Sequence, residues 1–206
     1  MSQARGSLAH LTGVVFVLLF VASFVVVGES PDADESAQEV VSFYTENDTE
    51  TIIGALLFGL SAVFFLFFVG SLRSVLRPAE GATGWLSNVA FAGGIVAAVG
   101  MLIFAGLGFT LGDAVENLDP VAIQAINALS FNLFFPAAGG IVTFLFASGL
   151  VSIRTEALPR WLGWAALVIA VAGFTPAGFF AFLASIAWVL IVSIVLMRGG
   201  TRASAA

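Results

Sequence analysis

Between residues 28 and 50 this 206-residue chain carries eight of its thirteen acidic residues and no Arg or Lys. On both sides of that interval, GESPDADESAQEVVSFYTENDTE, the sequence is apolar for the length of a membrane-crossing helix. Basic residues gather on the cytoplasmic side of a bilayer, so a long acidic stretch without them belongs in water on the opposite side. The apolar runs on either side then have to cross. Composition agrees: 60% of residues are hydrophobic and 10% charged, against about 25% charged in an average soluble domain.

The apolar runs predict an all-α fold, a polytopic membrane bundle of six transmembrane helices with a short extracytoplasmic amphipathic helix. Residues 1–206 form a single membrane domain. The expected spans are about 8–27, 52–76, 86–111, 130–153, 161–174 and 178–197, with an acidic outer loop over 28–51. Six crossings bring Arg5, Arg73, Arg77, Arg154, Arg160, Arg198 and Arg202 to one side. Eleven of the thirteen acids fall on the other, with only Glu80 and Glu156 among the arginines. That pattern predicts a plasma-membrane protein with both termini cytoplasmic. The first run, Leu8 to Val27, is too long for a signal-peptide core of about 7 to 15 residues and is expected to remain as an anchor.

Inside the acidic loop, Ser36 and Glu39 have the spacing of a capping box, and Ala37, Val40, Val41 and Tyr44 share one helical face. This predicts a short amphipathic helix that lids the bundle, or else one that binds a partner. Tyr44, the only tyrosine, is expected at the outer headgroup level. In the third span Ala90, Gly94, Ala98 and Gly106 recur at multiples of four beside Gly93, Ala97 and Ala105. They form a groove for close helix approach, either within the chain or across a dimer.

From Val121 to Ile153 there is no charge over 33 residues, nearly 50 Å of helix against a hydrocarbon core of about 30 Å. A helix starting at Pro120, with Asp119 as its N-cap, is expected to run obliquely through the outer interface and change direction near Pro136. Gln124, Asn127, Ser130, Asn132 and Pro136 make up the candidate polar pocket. Pro136 cannot bond back to Asn132, so that carbonyl is left for another donor. Interhelical hydrogen bonding and a site for a small neutral or apolar ligand are the two readings of the patch. The last 37 residues before Arg198 divide into a hairpin at Gly173 to Gly178. Its first arm spans only about 21 Å, so its turn is expected to be shallow.

Gly13-Val14-Val15-Phe16, Val40-Val41-Ser42-Phe43-Tyr44, Gly70-Ser71-Leu72-Arg73 and Leu158-Pro159-Arg160-Trp161-Leu162-Gly163-Trp164 together give the chain a family likeness. In these motifs and their order it is similar to a six-span family of actinobacterial membrane proteins of the DUF4386 type. The resemblance covers most of the chain and implies an architecture with no active-site residues. The charge density of the first loop departs from that family.

Enzymatic chemistry has little to work with here. There is no Cys, and His10 is the only histidine, expected at an interface. No ionisable residue is expected inside the hydrocarbon, where a charge costs about 2.5 to 3.5 kcal/mol. The chain is therefore expected to be non-enzymatic, with no catalytic, metal or cofactor-binding residue. Its expected role is a structural or accessory component that binds lipid, another membrane protein or a second copy, and no nucleic acid. The alternative is a small carrier for an apolar or neutral ligand near Pro136.

Overall fold

The computed structural model describes residues 2–203; the side chains of 2–8, 133, 134 and 199–203 lie outside the description. The side chains of Arg5 and Arg202, counted above on the basic side, therefore lie outside the description. The elements are α1 (Ser2–Val27), α2 (Ala37–Glu46), α3 (Asp48–Glu80), α4 (Trp85–Asp113), α5 (Pro120–Thr155), α6 (Arg160–Ala172) and α7 (Gly178–Ala203). Five of them, α1, α3, α4, α5 and α7, are long and apolar enough to cross a membrane, and α6 is a shorter apolar helix of 13 residues. The chain is a multi-pass helical membrane protein. Each of these six helices packs on the next along the chain, and α7 closes the ring on α1.

The ring is drawn tight by small residues. On α4, a Cβ at Gly93 would stand 2.7 Å from the Phe144 backbone nitrogen, and one at Gly100 would stand 2.6 Å from that of Ala137. Gly94 on the neighbouring face meets Val69 of α3 instead. The small-residue groove thus has two faces, one for each sequence neighbour, and it serves packing within the chain. Gly106 takes no part and has open space around it. At the next crossing Gly149 of α5 and Gly163 of α6 bring their backbones together in the same way.

Aromatic rings fill the axis that the small residues leave. Phe16, Phe20, Phe58, Phe65, Phe68 and Phe144 are all buried, and their rings stand 5.1 to 6.4 Å apart in tilted and edge-on pairs. Such pairs add about 0.5–1.5 kcal/mol each beyond area burial. Trp188, fully buried, stands edge-on to Phe144 and donates its indole N–H to the Leu162 carbonyl at 2.9 Å. The space remaining among these rings is about 10 Å³. The buried hydroxyls of Ser23, Ser61 and Ser193 donate to carbonyls of their own helices, Phe20, Phe58 and Val189.

One boundary differs from expectation. The helix α3 runs past the expected end of its span at 76, through Pro78 to Glu80, and stops at Gly81, whose φ is +82°. The positive φ of Gly81, which a residue without a Cβ adopts freely, lets the chain turn away there. The helix α5 is continuous from Pro120 to Thr155, with Pro136 inside it, and α2 packs against it. The start is as expected, with the Asp119 carboxylate accepting from the Val121 N–H at 2.8 Å.

The two acids on the basic side have local partners. Glu80 reaches across the α3–α4 turn and accepts from the backbone N–H groups of Leu86 and Ser87, at 2.9 and 2.8 Å, and from the Ser87 hydroxyl. It caps α4, whose own N-cap, Gly84, has no side chain to do so. Glu156 pairs with Arg160 at 2.7 Å. Arg73 donates to Asn88 at 2.9 Å and stands 5.0 Å over the Phe91 ring, so this arginine is held within the protein.

The helix spacing can be tested directly. Gly93→Leu forces a side chain into backbone and should lower the melting temperature in detergent, a loss of about 1–3 kcal/mol or more. Gly106→Leu should leave it unchanged. Equal effects would contradict the assignment of contact faces.

Candidate functional site

The site expected around α5 takes shape beneath the acidic loop. Ser36 and Glu39 start α2 as a complete capping box: Ser36 Oγ accepts from the Glu39 N–H, and the Glu39 carboxylate accepts from the Ser36 N–H at 3.1 Å. With the helix started there, Val40 and Tyr44 face the bundle. They are buried with Leu111 of α4, Val115 just after it and Ile123 of α5. Val41 is partly buried and Ala37 is half-exposed at the edge of that face.

Beneath this apolar contact lies a short polar seam. Tyr44 donates its hydroxyl to Asn127 Oδ1 at 2.8 Å. Asn127 Nδ2 donates to the carbonyls of Asp32 at 3.1 Å and Pro31 at 3.4 Å. One turn earlier Gln124 donates to the Glu35 carbonyl at 2.7 Å. Two amides at i and i+3 of α5 thus hold the loop at four points. Asn127 is 1% exposed and has both its amide oxygen and its amide nitrogen engaged.

Other members of the expected pocket lie elsewhere. Ser130 is buried but donates along its own helix to the Asn127 carbonyl. Asn132 is exposed and donates to the Ala128 carbonyl of the same helix, and Pro136 is exposed. Gln124 and Asn127 are therefore brought together, while Asn132 and Pro136 lie on the outside of the bundle. Tyr44 differs from the expected headgroup anchor: it is 4% exposed and its hydroxyl points into protein. An amphipathic face on the sequence shows only that Tyr44 turns inward. Its partner lies 83 residues away, where no local pattern reaches.

A second feature lies further along α5, where sequence reasoning placed no lining residues beyond Pro136. A cleft of about 380 Å³ opens between α5 (Phe135, Ala138, Ile141, Val142), the end of α6 (Ile169), the turn at Gly173 to Pro176 and the start of α7 (Phe179, Phe182). None of its lining side chains is ionisable. At the basic end His10 Nδ1 and Ser71 Oγ are 2.7 Å apart, joining α1 to α3. Among the described residues no three His, Asp or Glu side chains converge to hold a metal ion.

No protein-family model matches the chain, and neither a curated protein nor a solved structure is found similar to it.

The seam makes a pH prediction. Burial pushes the Tyr44 hydroxyl up to about 12 from its ordinary 10.0. The released loop gives up this proton before the clasped one does, so the clasp keeps its full stability below pH 10.0 and loses it as pH rises toward about 12. The loss is on the order of 2–3 kcal/mol. A spin label at Gln38, exposed on α2, should gain mobility over that range. Tyr44→Phe should abolish the pH step and weaken the clasp at neutral pH by about 1–3 kcal/mol, since it strands the Asn127 oxygen. A pH step that persists in Tyr44→Phe would contradict the role of this hydroxyl.

Proposed function

We propose that the protein is a non-enzymatic component of the cell membrane, structural or accessory, that works by binding lipid or a membrane partner through its apolar surface. Both termini and the arginine-bearing turns lie in the cytoplasm, and the clasped acidic loop lies outside. The observation that carries this reading is the use of Gln124, Asn127 and Tyr44: the best-grouped polar side chains of the chain are spent on holding its own loop. What remains for interaction is largely apolar. Exposed Leu56, Phe67, Val168 and Phe180 lie around the ring. Kinship with the six-span family that the boundary motifs resemble belongs to the same proposal.

The reading of a small carrier for an apolar or neutral ligand draws on one observation, the cleft beside Phe135 and Ala138. It is the second choice because the central axis is packed with aromatic rings and leaves about 10 Å³. Alternating access would have to separate that packing.

Two measurements test the proposal. A reporter fused after Ala206, or inserted near Ala82, should read cytoplasmic, and one near Ala37 external; one opposite reading removes the assigned orientation. Mass spectrometry of the protein extracted in mild detergent should find phospholipid or a membrane protein retained. A protein that retains neither, or that turns over a soluble substrate, would contradict the accessory role.

A further inference from the structure

The cleft between α5, α6 and the α6–α7 turn is placed by the shortness of α6. With Arg160 and exposed Trp161 and Trp164 marking its basic-end boundary, the 13 residues of α6 rise only about 20 Å against a hydrocarbon core of about 30 Å. The turn after α6 therefore lies about 10 Å inside the far leaflet. Its backbone is built for that depth. The N–H groups of Gly173, Phe174, Thr175 and Gly178 bond to the carbonyls of Ile169, Val171, Ala172 and Thr175 at 2.9 to 3.2 Å. The Ala177 N–H bonds to the Thr175 hydroxyl at 3.2 Å, and that hydroxyl itself donates to the Ala172 carbonyl. Pro176 has no N–H to satisfy. From Gly173 to Gly178 each backbone donor thus has an acceptor in α6 or in the turn itself, as a turn in hydrocarbon requires. Phe174, Phe179 and Phe180 point outward at 79%, 67% and 72% exposure, an arrangement suited to lipid.

We propose that the cleft is a binding site for one acyl chain of a phospholipid from the leaflet on the acidic side. This rests on the lipid-binding reading above and names where and how the lipid is held. The volume of about 380 Å³ falls within the range of about 300–1,000 Å³ typical of small-molecule sites. Its floor is Leu145 and its walls are Ile141, Val142 and Ile169, none of which offers water a hydrogen bond. Phe135 and Phe179, at the mouth, are 78% and 67% exposed and continuous with the lipid-facing surface. With no ionisable group in the lining, the fit is to a chain, and the headgroup stays at the interface beyond the turn. A shorter arm in a ring of longer helices leaves a gap in the far leaflet, and the chain fills it.

The test uses the full chain in phosphatidylcholine vesicles, some of whose lipids carry a diazirine midway along one acyl chain. After photolysis the adducts are mapped by mass spectrometry. Half-buried Ile141, Val142 and Ile169 should label as strongly as exposed Leu56, and several-fold more than Leu57 and Phe104, which are also half-buried but line no cleft. Ala138→Phe should suppress the cleft labels and spare Leu56. Labelling of the three cleft residues no stronger than that of Leu57 and Phe104 would overturn the proposal, and this comparison needs no variant to fold. Cleft labelling unchanged in a folded Ala138→Phe protein would overturn it too. If lipid is retained in detergent while the cleft does not label, the site alone fails; if neither lipid nor a membrane partner is retained, the wider reading fails.

Discussion

The hydrocarbon core has one thickness, about 30 Å, and the helices that meet it do not share one length. At 36 residues α5 spans about 54 Å, and at 13 residues α6 spans about 20 Å. Much of the molecule follows from these two mismatches. The surplus of α5 lies at its start, and there Gln124 and Asn127 take hold of the loop. The deficit of α6 is what the proposed depth of its turn rests on, and an apolar cleft lies beside that turn. The acidic loop clasps one side of the far end, and the apolar cleft opens on the other.

Between those ends the bundle is held by complementary sizes. Glycines at positions 93 and 100 let α4 touch α5 almost backbone to backbone, and Gly94 admits the Val69 side chain of α3. Phenylalanines from α1, α3 and α5 then close the axis. In a bilayer, lipid tails solvate apolar side chains well, so contact of this kind rather than hydrophobic expulsion supplies the association energy. A centre packed in this way gives a small ligand no room, which directs attention to the outer surface of the ring.

The architecture was legible because it depends on long-period signals. Apolar run length, the segregation of Arg from Asp and Glu, and proline and glycine at turns are all visible in one dimension, and they place the helix order and the α2 capping box. The candidate site was legible only in part. Gln124 and Asn127 stood out as polar residues in an apolar run, but their partners, the carbonyls of Glu35 and Asp32, are backbone groups about ninety residues away that no side-chain pattern announces. Pro136 stands inside a continuous α5 and is exposed, apart from the Gln124 and Asn127 contacts with which it was grouped on the sequence, because a run of neighbours along one helix does not say which face each of them takes. Glu80 looked like an exception to the charge rule until its three hydrogen bonds to Leu86 and Ser87 showed it capping α4.

The depth of the two mismatched ends can be read in a single experiment. Nitroxide labels would be placed at Ala125, exposed on the projecting part of α5, and at Ala177, exposed in the α6–α7 turn, in the full chain reconstituted in vesicles. Collision rates with dissolved oxygen, which concentrates in hydrocarbon, are compared with those for a water-soluble nickel chelate. The account predicts that Ala125 meets the chelate and Ala177 meets oxygen, although both lie at the acidic end of the bundle. Equal exposure of the two sites to the chelate would contradict it.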